Sequence, residues 1–143
     1  DKIRLKMEPW TQAERNYYEL HCQYGIEIGR KLKFAPLSLE IIGQHYMDED
    51  LSLASLSAML DVSPNHLSAC IKKSEGETFI NILVRRRMET AQTLLLTTDL
   101  QIQEIARRCG YTDQHYFSYC FKKYSGTSPV ALRRARAAGE ARP

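Results

Sequence analysis

The sequence lacks any hydrophobic run long enough to cross a bilayer. Its longest apolar runs, Ile82–Val84 and Leu94–Leu96, are only a few residues long, whereas a membrane-spanning helix needs about 20. It also shows no signal-peptide pattern, in which a basic start precedes an apolar stretch and a small-residue cleavage site. We therefore expect no membrane span and a cytoplasmic location.

Catalytic patterns are absent as well. The sequence contains no H-E-x-x-H metal motif, no phosphate-binding glycine loop and no Ser/His/Asp spacing typical of a hydrolase. No two carboxylates stand together in an apolar setting, where general acid–base chemistry would place them. We therefore expect neither an enzyme nor a cofactor.

Cysteine is scarce, with four residues in a chain of 143. None of them forms a C-x-x-C pair, and no histidine lies at zinc-finger spacing from them. A metal site is therefore not expected. The prediction is instead of free thiols on helical faces in a reducing compartment. The four residues are Cys22, Cys70, Cys109 and Cys120.

The remaining composition is that of a globular chain, with 43% hydrophobic and 26% charged residues. Its length predicts one domain, or one small domain with an appendage. Because the chain starts at Asp1 and not at a methionine, we expect a fragment of a longer protein.

The net charge of +3 is unevenly distributed. Residues 1–50 carry seven Lys/Arg and nine Asp/Glu, and residues 51–101 carry five of each. Residues 102–143 carry eight basic and three acidic residues, a net charge of +5. A basic end indicates a polyanion partner, although a run of basic residues can also be a solvated surface.

The basic end contains a pattern typical of a helix-turn-helix, at Ile102–Tyr124. Apolar residues at helical spacing predict two short helices. Gly110 suits the left-handed residue that ends the first helix, and Thr112 and Asp113 are both plausible N-caps for the second. Tyr111 is predicted to be buried in the turn. The predicted apolar faces comprise Ile102, Ile105, Ala106 and Cys109 in the first helix, and Phe117, Cys120, Phe121 and Tyr124 in the second.

The opposite face of the second helix carries hydrogen-bonding side chains at its start and cations at its end. This order fits a helix that enters a DNA major groove by its N-terminus, with phosphate contacts behind. The alternative is an ordinary helical hairpin with a solvated polar face. The residues concerned are Gln114, His115, Ser118, Tyr119, Lys122 and Lys123.

Leu51–Lys73 is an earlier copy of the same pattern. With a shift of 49 residues, Leu56 and Val62 align with Ile105 and Tyr111. With a shift of 50, after one extra residue in the second turn, the second helices align as well, and both copies end in Lys-Lys-x-x-Gly. An internal repeat of this kind strengthens the DNA-binding interpretation.

Between the copies, Thr78–Leu96 reads as one helix of about 28 Å. Its apolar residues are predicted to lie on or near one face. Its length nearly matches the roughly 34 Å between successive major-groove faces of B-DNA. Arg85, Arg86 and Arg87 lie at its centre, about 100° apart. They cannot all face DNA, so one is expected to pack inward against an acidic partner.

The two ends of the chain are less regular. Thr11 and Glu14 form a capping box for a helix that reaches about Leu32, interpreted either as a dimerising or signal-transmitting connector or as a helix packed on its own domain. Pro36 is expected to break that helix and Ser38 to cap the next one. After Pro129, Ala131–Ala138 predicts a short basic helix.

The whole pattern resembles the AraC/XylS family of bacterial transcription regulators over roughly residues 38–135. The second copy matches the family signature at Ile102, Ile105, Ala106, Gly110, Tyr111, Asp113, Tyr116, Phe117, Ser118, Phe121, Lys122, Lys123, Gly126, Ser128, Pro129 and Arg133. The central helix between the copies, Thr78–Leu96, is similar to the family's linker helix at Phe79, Arg87, Ala91, Leu94 and Leu95. The N-terminal helix that reaches about Leu32 is similar to the segment that joins receiver and output domains in response regulators.

The resemblance implies an all-α fold in which two helix-turn-helix subdomains, joined by a central linker helix, enter adjacent major grooves. We expect a linker and connector helix over residues 1–37, the DNA-binding domain over residues 38–137, and a disordered tail over residues 138–143. Within the domain, the first copy spans about 51–73, the linker helix about 78–96 and the second copy about 102–124.

By position, two sets of residues are expected to contact DNA. The base-contacting set is Asn65, Ser68, Ala69, Gln114, His115 and Tyr119. The phosphate-contacting set is Ser63, Lys72, Lys73, Arg85, Arg86, Thr112, Lys122 and Lys123. Ser68 and Ala69 are shorter than the side chains that family members often carry there. We therefore predict that the first copy recognises DNA weakly and the second carries most of the sequence information.

Double-stranded DNA is thus the expected partner of a transcription regulator, which can be either an activator or a repressor. The resemblance also allows contact with RNA polymerase, and the N-terminal helix allows a homodimer in the longer protein. The competing hypothesis is a helical protein-interaction or architectural module with non-specific DNA affinity.

Overall fold

The chain folds into seven α-helices over residues 34–140, the part that the computed structural model describes. They are α1 (Phe34–His45), α2 (Leu53–Leu60), α3 (Pro64–Glu75), α4 (Phe79–Thr97), α5 (Ile102–Arg108), α6 (Gln114–Ser125) and α7 (Pro129–Glu140). The all-α prediction is confirmed. The predicted connector helix of residues 11–32 lies outside the described residues. No helix within them is both long and apolar enough to span a membrane.

Short polar side chains cap the N-termini of four of the helices. Ser52, Ser63, Thr78 and Asp113 are N-caps whose side-chain oxygens accept hydrogen bonds from backbone N–H groups of the first turn. Such caps satisfy donors that have no partner within the helix. The sequence offered both Thr112 and Asp113 as a cap for α6, and Asp113 is the cap.

The two helix-turn-helix copies share one turn geometry. In the turn between α2 and α3, Val62 N–H donates to Ser57 O at 3.0 Å, and in the turn between α5 and α6, Tyr111 N–H donates to Ala106 O at 2.9 Å. The same 49-residue shift aligns Ser57 with Ala106 and Val62 with Tyr111. The internal repeat therefore exists in the backbone as well as in the sequence.

Two hydrophobic cores hold the helices, and α4 contributes to both. We call α1–α3 (residues 34–75) the first unit and α5–α7 (residues 102–140) the second unit. The core of the first unit contains Ile42, Leu51, Leu56, Leu67, Ile71, Phe79, Ile82 and Leu83. The core of the second unit contains Met88, Ala91, Leu95, Ile105, Ala106, Cys109, Tyr111, Phe117 and Phe121.

The predicted single apolar face of α4 is therefore wrong. Leu83 packs in the first core and Met88 in the second, and five residues of α-helix turn by about 140° beyond one full turn. The linker buries one side in its N-terminal half and a different side in its C-terminal half. The sequence pattern merged the two because each half supplies only a few apolar residues.

The start of α1 also differs from the prediction. The helix begins at Phe34, so that Pro36 lies inside its first turn. Proline is tolerated there because first-turn N–H groups need no partner within the helix. The break predicted at Pro36 concerned the preceding helix, which lies outside the described residues. Ser38 is a fully buried residue of α1 and not its cap.

At the other end, α7 begins at Pro129 and runs to Glu140. The predicted disordered tail is therefore wrong for residues 138–140, which continue the helix. Arg136 donates from Nε to Glu140 at 2.8 Å, an i,i+4 pair that supports the last turn. Alanine-rich sequence favours the extension.

Candidate nucleic-acid interface

Helix α6 presents a polar surface because two phenylalanines anchor its other side. Phe117 and Phe121 are fully buried in the second core. Gln114, His115 and Tyr119 consequently face outward, and Tyr119 is 62% exposed. The three residues predicted to contact bases in the second copy therefore share one accessible face.

Tyr116 is a further exposed aromatic on this surface, at 58%. Its ring stacks on Tyr119, with the centroids 6.5 Å apart and an interplanar angle of 20°, and also contacts Tyr111 at 6.0 Å. The sequence prediction used Tyr116 only as a family match. Its position three residues before Tyr119 on the same helix was the available signal.

Tyr124 was predicted to lie on the buried face of α6 but is 41% exposed. It instead lines a groove of about 440 Å³ between α6 and the N-terminal half of α4. The groove brings together Tyr119, Lys123 and Arg85, which the sequence had assigned separately to base and phosphate contacts. The other lining residues are Glu77, Ile80, Asn81, Val84, Tyr116 and Cys120.

Helix α3 of the first unit has the same arrangement with smaller side chains. Leu67 and Ile71 are buried, Asn65 and Ala69 are exposed, and Ser68 is half-buried. The predicted base-contacting residues of the first copy are thus accessible. They extend less far from the helix than Gln114 and Tyr119 do.

Before each of these helices stands one residue predicted to contact phosphate. Ser63 is the N-cap of α3, and its hydroxyl oxygen accepts from His66 N–H at 3.3 Å. Thr112 is exposed beside the Asp113 cap. Both are placed at helix N-termini, where backbone N–H groups and the helix dipole favour an anion.

The paired lysines occupy the C-terminal ends of α3 and α6. Lys72 Nζ donates to Gly76 O at 3.0 Å, so this lysine caps its own helix. Lys73, Lys122 and Lys123 are exposed and form no ion pair with a described residue. None of the four lysines is paired with a described carboxylate, so all four keep their positive charge, and Lys72 alone is held by a carbonyl oxygen.

The three central arginines of α4 have three different environments. Arg85 is 3.7 Å from Glu77 and 3.6 Å from Glu89, whereas Arg86 is exposed. Arg87 is buried, as one of the three was expected to be. The prediction of an acidic partner for this arginine is wrong, because the Arg87 guanidinium donates to backbone carbonyl oxygens.

Two arginines of the basic end, Arg133 and Arg136, donate hydrogen bonds to backbone carbonyl oxygens within the protein. Arg136 donates to Thr98 O at 2.8 Å, and Arg133 donates to Thr98 O at 3.2 Å and to Leu100 O. These contacts tie α7 to the connection between α4 and α5. The net charge of this end therefore overstates the charge that can meet a polyanion.

Arg107 and Arg108 at the end of α5 are also paired. Arg108 Nε donates to Glu104 at 2.9 Å, and Arg107 lies 3.4 Å from the same carboxylate. The hydrogen bond from Arg108, together with the charges of both arginines, lowers the pKa of the Glu104 carboxyl.

The cysteines in residues 34–140 are unpaired. Cys109 is buried, as predicted, while Cys70 and Cys120 are half-buried. Cys22 lies outside the described part of the chain. No group of three or more His, Cys, Asp or Glu side chains that could hold a metal ion occurs within that part.

Comparison with known proteins agrees with this geometry. Residues 56–135, more than half of the chain, match the model of a helix-turn-helix domain family. The chain is 33% identical over 94 residues to the arabinose operon regulatory protein of Escherichia coli K12. The aligned region covers 66% of this chain and 32% of that protein. The chain spans about a third of the length of this relative and of two other curated relatives that it matches.

Solved structures show the same fold. The C-terminal domain of AraT, a response regulator from Geobacillus stearothermophilus, is 47% identical with a TM-score of 0.70, over 71% of this chain and 84% of that one. The DNA-binding domain of AdpA, solved in complex with a target DNA, has a TM-score of 0.69 at 24% identity, over 76% of this chain and 97% of that one. The second likeness bears on the fold alone.

Proposed function

This chain belongs to the AraC-type helix-turn-helix family of transcription regulators, and we propose that it places α3 and α6 in two adjacent major grooves of double-stranded DNA. The observation that carries the proposal is the repeated unit. Each copy has a capped helix with an accessible polar start, a buried apolar side and a basic end. That order matches the docking of a recognition helix, in which bases meet its N-terminal part and phosphates the flanking cations.

The two recognition helices differ in what they offer to bases. Gln114 can form a bidentate pair with adenine, and His115 can donate to guanine acceptors. In α3, Asn65 can also pair with adenine, but Ala69 offers only a methyl contact to thymine. We propose that α6 supplies most of the sequence information and α3 supplies a weaker, partly shape-dependent contribution.

The remaining parts of the proposal concern the longer protein. Similarity to the AraT C-terminal domain supports an output domain of a response regulator. We further propose that this domain acts in the cytoplasm and has no enzymatic activity of its own. Contact with RNA polymerase and dimerisation through residues 11–32 belong to the same proposal.

The test is selection of bound sequences from a random double-stranded DNA library, first at low and then at higher salt. We expect a motif of two short elements about one helical turn apart. Phosphate attraction alone would instead fade with salt and leave no motif. That outcome would favour the architectural or protein-interaction hypothesis.

A pair of substitutions sharpens the test. Gln114→Ala and His115→Ala should each lower affinity for the selected site and relax the preference at one or two base pairs. Gln44→Ala, at an exposed glutamine of α1, is the matched control and should bind like the unmodified chain. Unchanged binding by both α6 variants would contradict the proposed role of α6.

A further inference from the structure

Arg87 lies at the middle of α4 and is only 8% exposed, yet no carboxylate among residues 34–140 pairs with it. Its Nε donates to Tyr46 O at 2.7 Å and its Nη2 donates to Asp48 O at 2.8 Å. Both acceptors belong to the turn that follows α1 in the first unit. Burial of a guanidinium is costly unless its donors are satisfied, and here the first unit satisfies two of them.

The other side of the Arg87 guanidinium contacts the second unit. Its Cζ lies 5.3 Å from the centroid of the Tyr111 ring, within the range of a cation–π interaction. A Cβ atom on Gly110 would lie 2.9 Å from Arg87 Cζ and Nη2. The guanidinium therefore packs directly on the backbone of the turn between α5 and α6.

The cores of the first and second units use different sides of α4, as Leu83 and Met88 show. Arg87 lies between those sides and touches a turn from each unit. Thr90 adds a neighbouring link, because its hydroxyl donates to Tyr46 Oη at 2.9 Å, but it joins only the first unit to the linker.

We propose that Arg87 is a positioning residue that sets the angle between the two units, and thereby the spacing of the two DNA elements that α3 and α6 can occupy together. The inference rests on the proposed function. Without the Arg87 contacts each unit keeps its own core, but the turn after α1 and the turn before α6 lose the group that joins them. The units can then rotate about the linker.

Such rotation has a defined consequence for DNA. One added base pair turns the second element by about 34–36° and moves it along the axis. A rigid pair of units loses one of its two contacts at such a site. A loosened pair tolerates the change, but binds the correct site less well because the units must be ordered on binding.

The experiment compares Arg87→Lys with the unmodified chain on the selected site and on versions with one base pair inserted or removed between the elements. Lysine keeps the charge, but one ammonium group cannot reproduce the planar fork that meets both carbonyls and the tyrosine ring. We expect the unmodified chain to lose about tenfold or more in affinity per changed base pair, a loss typical of a mismatch. The lysine variant should bind the selected site more weakly than the unmodified chain does. It should lose only about threefold or less in affinity for each inserted or removed base pair.

Gly126→Ala serves as the control for the strain of a left-handed alanine, because Gly126 lies far from Arg87 in sequence, has a positive φ similar to that of Gly110, and has nothing within 4 Å of a Cβ atom placed on it. It should keep the unmodified spacing preference. Gly110→Ala, which displaces the guanidinium, should behave like Arg87→Lys. An unchanged spacing preference in both Arg87→Lys and Gly110→Ala would overturn the inference. Failure of the proposed function would appear earlier, as the absence of a two-element motif for the unmodified chain.

Discussion

Asp61 and Gly110 occupy equivalent positions in the two helix-turn-helix turns, and both have a left-handed backbone, with φ of 55° and 82°. The first turn accepts a residue with a Cβ atom, and aspartate is one of the few non-glycine residues that adopt this conformation readily. The second turn does not, because Arg87 occupies the space. The two turns thus share a backbone conformation, but only the second turn has the Arg87 side chain packed against it.

Gly110→Ala should therefore destabilise the protein more than Gly126→Ala. Both substitutions carry the cost of a left-handed alanine, about 1–2 kcal/mol. Only Gly110→Ala also forces Arg87 away, since nothing lies within 4 Å of a Cβ at Gly126. Urea unfolding followed by circular dichroism measures the difference. Equal losses would show that the arginine moves aside at no cost.

Asp113→Ala should lower the free energy of unfolding by about 1 kcal/mol. The Asp113 carboxylate accepts from His115 N–H at 2.7 Å and Tyr116 N–H at 3.3 Å, and so fixes the start of α6. Asp113→Asn retains an acceptor oxygen and should lose much less. Thermal unfolding of the two variants side by side tests this, and a full loss in the asparagine variant would assign the effect to charge and not to capping.

Base substitution across the selected site should give unequal losses in its two elements. Mismatches opposite α6 should cost about 1–3 kcal/mol each, and those opposite α3 less. The reason is the longer reach of Gln114, His115 and Tyr119 compared with Ser68 and Ala69. Competition binding at one fixed salt concentration measures both sets, and equal losses in the two elements would be inconsistent with the assignment.

Stability should fall in alkaline solution. Burial raises the pKa of the Cys109 thiol from 9.0 to about 11 and that of the Tyr111 hydroxyl from 10.0 to about 12. Both groups stay protonated in the folded protein at a pH where the unfolded chain releases its protons. Their contribution is therefore complete below about pH 9 and is lost as the pH rises through about 11 to 12.

Urea unfolding at several pH values from 8 to 12 measures this loss. Tyr111→Phe should reduce the part of the decline above pH 10, because the phenol can no longer ionise. Tyr124→Phe, at a side chain that is 41% exposed, is the control and should follow the unmodified chain. Identical pH profiles for Tyr111→Phe and the unmodified chain would rule out the phenol as a cause.

Arg136→Ala should destabilise the second unit, since it removes one of the two guanidinium donors to the Thr98 carbonyl, the other being Arg133, and breaks the pair with Glu140. Arg134→Ala, at the exposed neighbouring arginine, should change stability by less than about 0.5 kcal/mol. Unfolding in urea separates the two. A large loss at Arg134 would mean that helix propensity or general charge, and not the carbonyl contact, governs α7.

Much of the fold was accessible from local patterns. The apolar spacing of Ile105 and Phe117, the cap at Asp113 and the repeat with a shift of 49 residues predicted helices, turns and a duplicated unit that the structure contains. The predicted cap at Ser38 and the predicted disorder of residues 138–140 were wrong. Local propensity does not say whether a proline falls inside a first turn or whether an ion pair extends a last one.

The sequence by itself determined the two helices that we propose for DNA recognition and which of their side chains are polar, because helical periodicity and capping depend on neighbours within a few residues. Only the tertiary structure decided which cations are available to a polyanion. Arg133 and Arg136 turn inward to carbonyl oxygens about 35 residues away in sequence, and Arg87 bridges turns that are far apart in the chain. Contacts between distant segments leave no periodic signal, so a formal charge does not show whether an arginine faces solvent or holds two units together.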